Sequence, residues 1–355
     1  MPTGLFRYWA HCRRQNRSEQ DGDTNRRYQA SSGRTAEGIQ AMRSSRSYLT
    51  RRLVFSTACA ILASTALGGA LYAAAFSEWS VPVSAEEGSD PSLNTLFNDG
   101  CPILSPDGLS LYMATNRPEF PGDPFPDLNI WVARRETTTS GWGAPVELPA
   151  PINTSDNEYC PSPLRGKGLL FVRAPAGTNN GDIFRSRLSQ DGWDTPERLP
   201  DTINSTAQEW SPSLFTDDDG NDVLYFSRTT GPAGGPHSIY ASVNSRPAQL
   251  VGELSIGGDA ARPNVRKDGR EIVFDSGRAS SLGGQDVWTS ERASTSDPWS
   301  PPQHLGVVSG PGNDTRASLS WDGTFLLVGS VGKPGGEGQA DIYVATRSKL
   351  KGYER

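Results

Sequence analysis

Five short polar stretches, Asn98-Asp99, Asn157-Glu158, Gln208-Glu209, Asp259-Ala260 and Asp314-Thr315, recur through a chain of 355 residues. Each precedes a strand-like run, and Arg262 and Arg316 fall beside two of them. Amides and carboxylates gathered in this way suit three roles. Converging carboxylates repel one another when empty and so favour a bound cation such as Ca2+. A pair drawn from Asp99, Glu158, Glu209, Asp259 and Asp314 could instead divide the acid and the base or nucleophile roles of glycoside hydrolysis, at separations of about 5 or 6.5–9.5 Å. The same residues could simply satisfy backbone groups and turns around a channel, with the arginines pairing the acids. Regular repetition is what the structural role predicts. No residue is therefore assigned as catalytic, and the expected ligand-contacting set is Asn98, Asp99, Asn157, Glu158, Gln208, Glu209, Asp259, Asp314 and Arg316.

Other chemistries find little purchase. His237 and His304 are isolated from each other, and His11 lies far upstream, so a multi-histidine metal or haem site is not expected. No G-x-S-x-G elbow or phosphate-binding P-loop occurs. The run from Asp217 to Asp222 has its glycine at the fourth place and lacks the twelve-residue order of an EF-hand, so it reads as a solvated hairpin. Cys101 and Cys160 are equivalent by spacing, on neighbouring strands whose Cα atoms should stand beyond the roughly 7 Å that a disulfide spans. Two small buried thiols are expected there. Asn153, Asn204 and Asn313 begin N-x-[ST] triplets, which matter only in a eukaryotic secretory route.

The elements that must position these residues show internal repetition. A first strand recurs at CPILSPDG (101), CPSPLRGKG (160), SPSLFTDDDG (211), RPNVRKDG (262) and ASLSWDG (317), each followed by a turn rich in Asp and Gly. A second, apolar strand follows at 109, 169, 222, 271 and 324, and a third at NIWVARR, DIFRSR, SIYASV, DVWTSER and DIYVATR. A W-x-x-P signature marks a fourth, outer strand at Trp142, Trp193 and Trp299, where proline needs no ladder partner. The last repeat lacks its own fourth strand, and an orphan Trp79-x-x-Pro82 stands ahead of the first. Together they predict an all-β, five-bladed β-propeller over 77–347, its last blade closed by an N-terminal strand. A composition of 38 glycines and 27 prolines, about 18% of the chain against a usual level near 12%, fits such a turn-rich fold.

The SPDG turn at 105–108, the D-I-[WFY] and D-V-W strands and the WGAPV run at 142–146 resemble the WD40-like (PD40) β-propeller repeats of the TolB-like group. The resemblance implies an exported bacterial propeller used as a rigid binding platform. The chain departs from TolB itself in lacking a separate α/β domain and in having five repeats.

Upstream, residues 1–52 hold eleven arginines and four acids without apolar periodicity, and read as a disordered basic arm; Met42 is an alternative start. Residues 53–75 form an apolar segment preceded by Arg51-Arg52, read as a signal peptide cleaved after Ala75 or as a membrane anchor. Residues 348–355 are a C-terminal tail. Setting aside 1–75 removes eleven of 34 basic and four of 40 acidic residues, leaving a formal balance of −13 that repels phosphate backbones. Nucleic acid is thus excluded as a partner, and membrane contact is confined to 53–75. The expected protein is a periplasmic, secreted or membrane-anchored non-enzymatic module that binds a protein or glycan at one rim without cofactor, bound Ca2+ being the one ion considered; a carbohydrate-active hydrolase using the funnel carboxylates is the alternative.

Overall fold

A computed structural model describes residues 76–118, 127–231 and 234–350. The basic arm, the apolar segment 53–75 and the end of the tail lie outside them. Among the described residues no helix is long and apolar enough to cross a membrane.

Five four-stranded antiparallel sheets account for nearly all the regular structure. Blade one contains β2 (Asp99–Leu104), β3 (Ser110–Thr115), β4 (Asn129–Arg134) and β5 (Val146–Glu147). Blade two contains β6 (Asn157–Pro163), β7 (Gly168–Ala174), β8 (Asp182–Arg187) and β9 (Glu197–Arg198). Blade three runs from β10 (Glu209–Thr216) through β11 (Asp222–Thr229) and β12 (His237–Val243) to β13 (Gln249–Leu250), followed by one helical turn, α1 (Gly252–Ser255). Blade four holds β14 (Ala261–Val265), β15 (Glu271–Ser276), β16 (Asp286–Glu291) and β17 (Gln303–His304). Blade five joins β18 (Asp314–Leu319), β19 (Phe325–Ser330) and β20 (Asp341–Thr346) to β1 (Val83–Ser84) from the other end of the propeller. The closure expected from Trp79 and Pro82 is present: Val83 pairs with Val344 and Ser84 with Tyr343. Each first strand neighbours the next, and β18 neighbours β2, so the inner strands complete a ring.

Local chemistry explains the repeat. The first hairpin of every blade turns on a glycine with positive φ, Gly108, Gly166, Gly220, Gly269 or Gly323, a conformation that a Cβ disfavours. The proline of each W-x-x-P stands immediately before its two-residue outer strand, so no ladder donor is lost. Trp79, Trp142 and Trp299 are buried, each beneath an arginine that ends or follows the third strand. Arg347, Arg135 and Arg292 lie 4.2, 4.0 and 4.2 Å from these ring centroids. The same three guanidinium groups donate from Nε to the carbonyls of turn glycines Gly323, Gly108 and Gly269. One arginine thus joins the hairpin tip to the outer tryptophan, a link that strand periodicity does not reveal.

Apolar residues of adjacent sheets pack face to face, as where Val172 and Ile183 of blade two join Leu224 and Phe226 of blade three in one cluster. Asn153 and Asn204 each bracket an isoleucine of the preceding third strand, accepting its N–H and donating to its carbonyl (Ile130, Ile183), and Asn94 does the same to Ile342 across the closure. Ser255 and Ser309 accept from Ile239 and Val287 in the other two blades. Asn153 and Asn204 are buried by this work, so their triplets are not available to a glycosylating enzyme.

Candidate functional site

The axial end of each first strand carries a β-bulge whose central residue has φ near +50°: Cys101, Cys160, Ser211, Arg262 and Arg316. This alignment corrects the sequence register in blade five. Arg316, not Ala317, is the counterpart of Arg262, so the recurring dipeptide is Asn313-Asp314. An amide followed by an acid then precedes the bulge in four blades, and blade four has Asp259-Ala260 instead.

These dipeptides clip each blade to its predecessor. The backbone N–H of Asp99, Glu158, Glu209, Ala260 and Asp314 donates to the carbonyl of Ala340, Leu128, Gly181, His237 and Gln285. In three blades the residue before it accepts the N–H of that same partner: Asn157 from Leu128, Asp259 from His237 and Asn313 from Gln285. Asn98 and Gln208 differ, each donating its own N–H to a second-strand side chain, Asn116 Oδ1 and Thr229 Oγ1.

The acids Asp99, Glu158, Glu209 and Asp314 have fully buried side chains. Asp99 meets Arg117 at 2.7 Å, Glu158 meets Arg173 at 2.6 Å, Glu209 meets Arg228 at 2.7 Å, and Asp314 meets Lys333. The first three also accept from the backbone and hydroxyl of Thr95, Thr154 and Ser205. The arginines continue to carbonyls at Ser92, Ile152 and Ile203. Each carboxylate therefore sits in a closed web that a substrate would have to dismantle. Burial pushes Glu158 above the ordinary carboxylate value, with Thr154 and Arg173 acting against it.

Asp259 differs from these acids. Its side chain keeps about a third of its exposure and has no Arg or Lys ion pair. It accepts from the His237 backbone at 2.5 Å, faces His237 Nδ1 at 3.4 Å and accepts from Gln285 Nε2 at 2.7 Å. Burial pushes Asp259 up, but the hydrogen bonds from His237 outweigh it and hold the carboxyl below its usual value. His237 in turn packs on Trp210 at a tilt of 41° with centroids 4.5 Å apart, and Trp210 meets Tyr159 edge-on at 6.2 Å. Arg262 lies over Trp210 at 5.5 Å, is bound to buried Asp275 at 2.6 Å and donates to Gln285. Of the residues predicted from sequence, only Asp259 joins this patch. Trp210, Tyr159, His237 and Gln285 were missed; the one available signal was the carboxylate at a position where the other blades carry an amide.

Arg316 forms no ion pair with the axial carboxylates, contrary to expectation; Asp275 accepts its backbone N–H instead. Cys101 and Cys160 are buried and free as expected, and their sulfurs stand 2.8 Å apart. The axial cavity between them is about 30 Å³, far below the roughly 300 Å³ at which ligand pockets begin. A sugar does not enter the channel. Among the described residues no group of three or more His, Cys, Asp and Glu is placed to hold a metal ion. His304 is engaged in its own pair with Asp286 at 2.7 Å, and Asp217 is occupied by Asn221 within its hairpin.

No family model matches the chain, and no curated protein matches it either. Solved structures do. A thermostable family-43 glycoside hydrolase is similar at 13% identity and TM-score 0.47, over 75% of this chain and 93% of its own. An alpha-L-arabinofuranosidase from Lactobacillus brevis gives 12% and 0.49 over 75% and 94%, and an endo-arabinanase from Bacillus licheniformis 14% and 0.43 over 74% and 96%. These three neighbours are named as hydrolases, so the expectation of a non-enzymatic binding module finds no support among them and is not carried further. At such identities the likeness speaks to fold alone, and the substrates named belong to those proteins.

Proposed function

We propose that the protein is a carbohydrate-active hydrolase whose glycan lies on the rim patch around Trp210 and Asp259, not in the axial funnel. The observation that carries this reading is the part-exposed, ionised Asp259 joined through His237 to a part-exposed Trp210, with Gln285 and Arg262 adjoining. An aromatic face with a few convergent polar groups suits a neutral ring bearing hydroxyls. Asp259 supplies one of the two carboxyl groups that glycoside hydrolysis uses, the one in the base or nucleophile role and not the acid that protonates the leaving oxygen, and His237 keeps it ionised and oriented. The buried acids Asp99, Glu158, Glu209 and Asp314 hold the rim rigid beneath it.

The SPDG turn and the D-[IV]-[WFY] strands support a WD40-like repeat, and Arg51-Arg52 ahead of the apolar segment 53–75 supports export, with the propeller outside the cytoplasm. A panel of neutral polysaccharides, arabinan and xylan among them, tests the function by released reducing ends. Activity that falls about 100-fold or more in Asp259→Ala supports it. Release from no glycan, or release unchanged in the variant, overturns it.

A further inference from the structure

The five bulge residues line the axial cavity, and they are not interchangeable: two thiols, one hydroxyl and two guanidinium groups share a space of about 30 Å³. Cys101 and Cys160 lie 2.8 Å apart, closer than two unbonded sulfurs ordinarily approach and longer than the roughly 2.05 Å of a disulfide. Ser211 Oγ donates to the Cys160 sulfur at 3.1 Å. Arg262 is neutralised by Asp275, but Arg316 has no carboxylate, and its Nε is buried with no partner among the described residues. Gly100 makes room for that guanidinium, since a Cβ there would come within 2.9 Å of Nη1. A part-buried guanidinium without a carboxylate partner, beside a hydrogen-bonded sulfur, favours a thiolate as its counter-ion.

The two sulfurs respond differently to this setting. Burial pushes both up. For Cys160 that is outweighed by the hydrogen bond with Cys101, the charge of Arg316, the Ser211 hydroxyl and Arg262, which bring it to about 7. Cys101 stays well above the ordinary thiol value, raised by burial and by its bond with Cys160. One sulfur is thus suited to attack and the other to resolve.

We propose that Cys101 and Cys160 are a peroxide-reactive thiol pair that closes to a disulfide between blades one and two at the propeller axis. The size of the cavity selects the oxidant: hydrogen peroxide is little larger than the water that fits there, whereas a peptide or glutathione disulfide is not admitted. The Cys160 thiolate attacks one peroxide oxygen, the O–O bond breaks, and the departing hydroxide takes a proton to become water. The Cys101 sulfur then attacks the sulfur of the resulting Cys160 sulfenic acid. It gives up its thiol proton to the displaced hydroxide, and a second water leaves. Two thiols and one peroxide become one disulfide and two waters, the sulfurs losing two electrons and the peroxide oxygens gaining them.

The test treats the reduced full chain with equimolar hydrogen peroxide and follows each cysteine by non-reducing peptide mass, with Cys12 and Cys59 counted separately. The expected product is a Cys101–Cys160 linked peptide two hydrogens lighter than the reduced pair. In Cys101→Ser, Cys160 should stop at a sulfenic acid trapped by dimedone; in Cys160→Ser, Cys101 should stay a thiol. The rate should be half-maximal near pH 7, and Arg316→Met should move that midpoint upward and slow the reaction at pH 7 several-fold. Both thiols surviving peroxide in the wild-type chain would overturn the proposal, as would equal reactivity of Cys101 and Cys160 in the single variants.

Discussion

Replacing Trp79 by alanine tests whether the N-terminal strand holds the ring shut. Trp79 is 8% exposed, packs in one cluster with Val328 and Tyr343, and lies 4.2 Å beneath the Arg347 guanidinium. Removing a buried tryptophan costs about 3–5 kcal/mol from lost transfer and the cavity left behind. For a domain of this size each kcal/mol lowers Tm by about 2–4 °C, so a fall of about 6–20 °C is expected. The internal reference is Trp142→Ala, the same position in blade one, 7% exposed and 4.0 Å beneath Arg135, which should lose a similar amount. Val83→Ala, at an exposed site on the closing strand itself, should change stability by no more than about 0.5 kcal/mol. Thermal unfolding followed by circular dichroism gives all three values. A silent Trp79→Ala beside a costly Trp142→Ala would refute the closure, because both tryptophans are buried beneath the arginine that follows a third strand and only Trp79 leads into a strand that comes from the other end of the propeller.

Arg228→Ala leaves Glu209 buried without its cation and should cost about 3–5 kcal/mol, read as a lower denaturant midpoint at unchanged slope. Asn204→Ala strips the buried Ile183 N–H of its side-chain acceptor while the Ile183 carbonyl keeps the Leu199 N–H, at about 1–3 kcal/mol for the one group left unsatisfied, measured the same way. The pH profile of kcat/KM should reflect Asp259 in its ionised form. Because His237 holds that carboxyl below the ordinary value of 3.8, the active form persists down to that pH and is lost only as pH falls through the lower value; a limb above pH 5 that disappears in Asp259→Asn would contradict this.

The propeller was legible because its determinants are local. Asp-Gly turns, apolar second strands and prolines at outer edges each restrict a few residues, and repetition multiplies a weak signal five times. The ring closure followed from counting, since Trp79 had no blade and blade five had no outer strand. The site was not legible, because its chemistry depends on what lies across blades. Asp99 and Asp259 look alike in the sequence, yet Arg117 comes from β3's far end to neutralise the first, while the second meets His237 from a different blade. The one-residue slip in blade five had the same origin: Ala317 breaks the proline that follows the bulge in the other four blades, so spacing alone misplaced Arg316. The contact between the Cys101 and Cys160 sulfurs was not legible because the bulge turns both side chains toward the axis, which ideal strand geometry does not anticipate.

Buried structural acids and a functional Asp259 are told apart by a paired measurement. Asp259→Asn installs the amide that Asn157 and Asn313 already present at the equivalent position, so stability should change by less than about 1 kcal/mol while glycan hydrolysis falls about 100-fold. Glu209→Gln should do the reverse, losing about 3 kcal/mol of stability by stranding Arg228 and keeping turnover within about threefold where the protein remains folded. Turnover lost in Glu209→Gln and retained in Asp259→Asn would contradict the account.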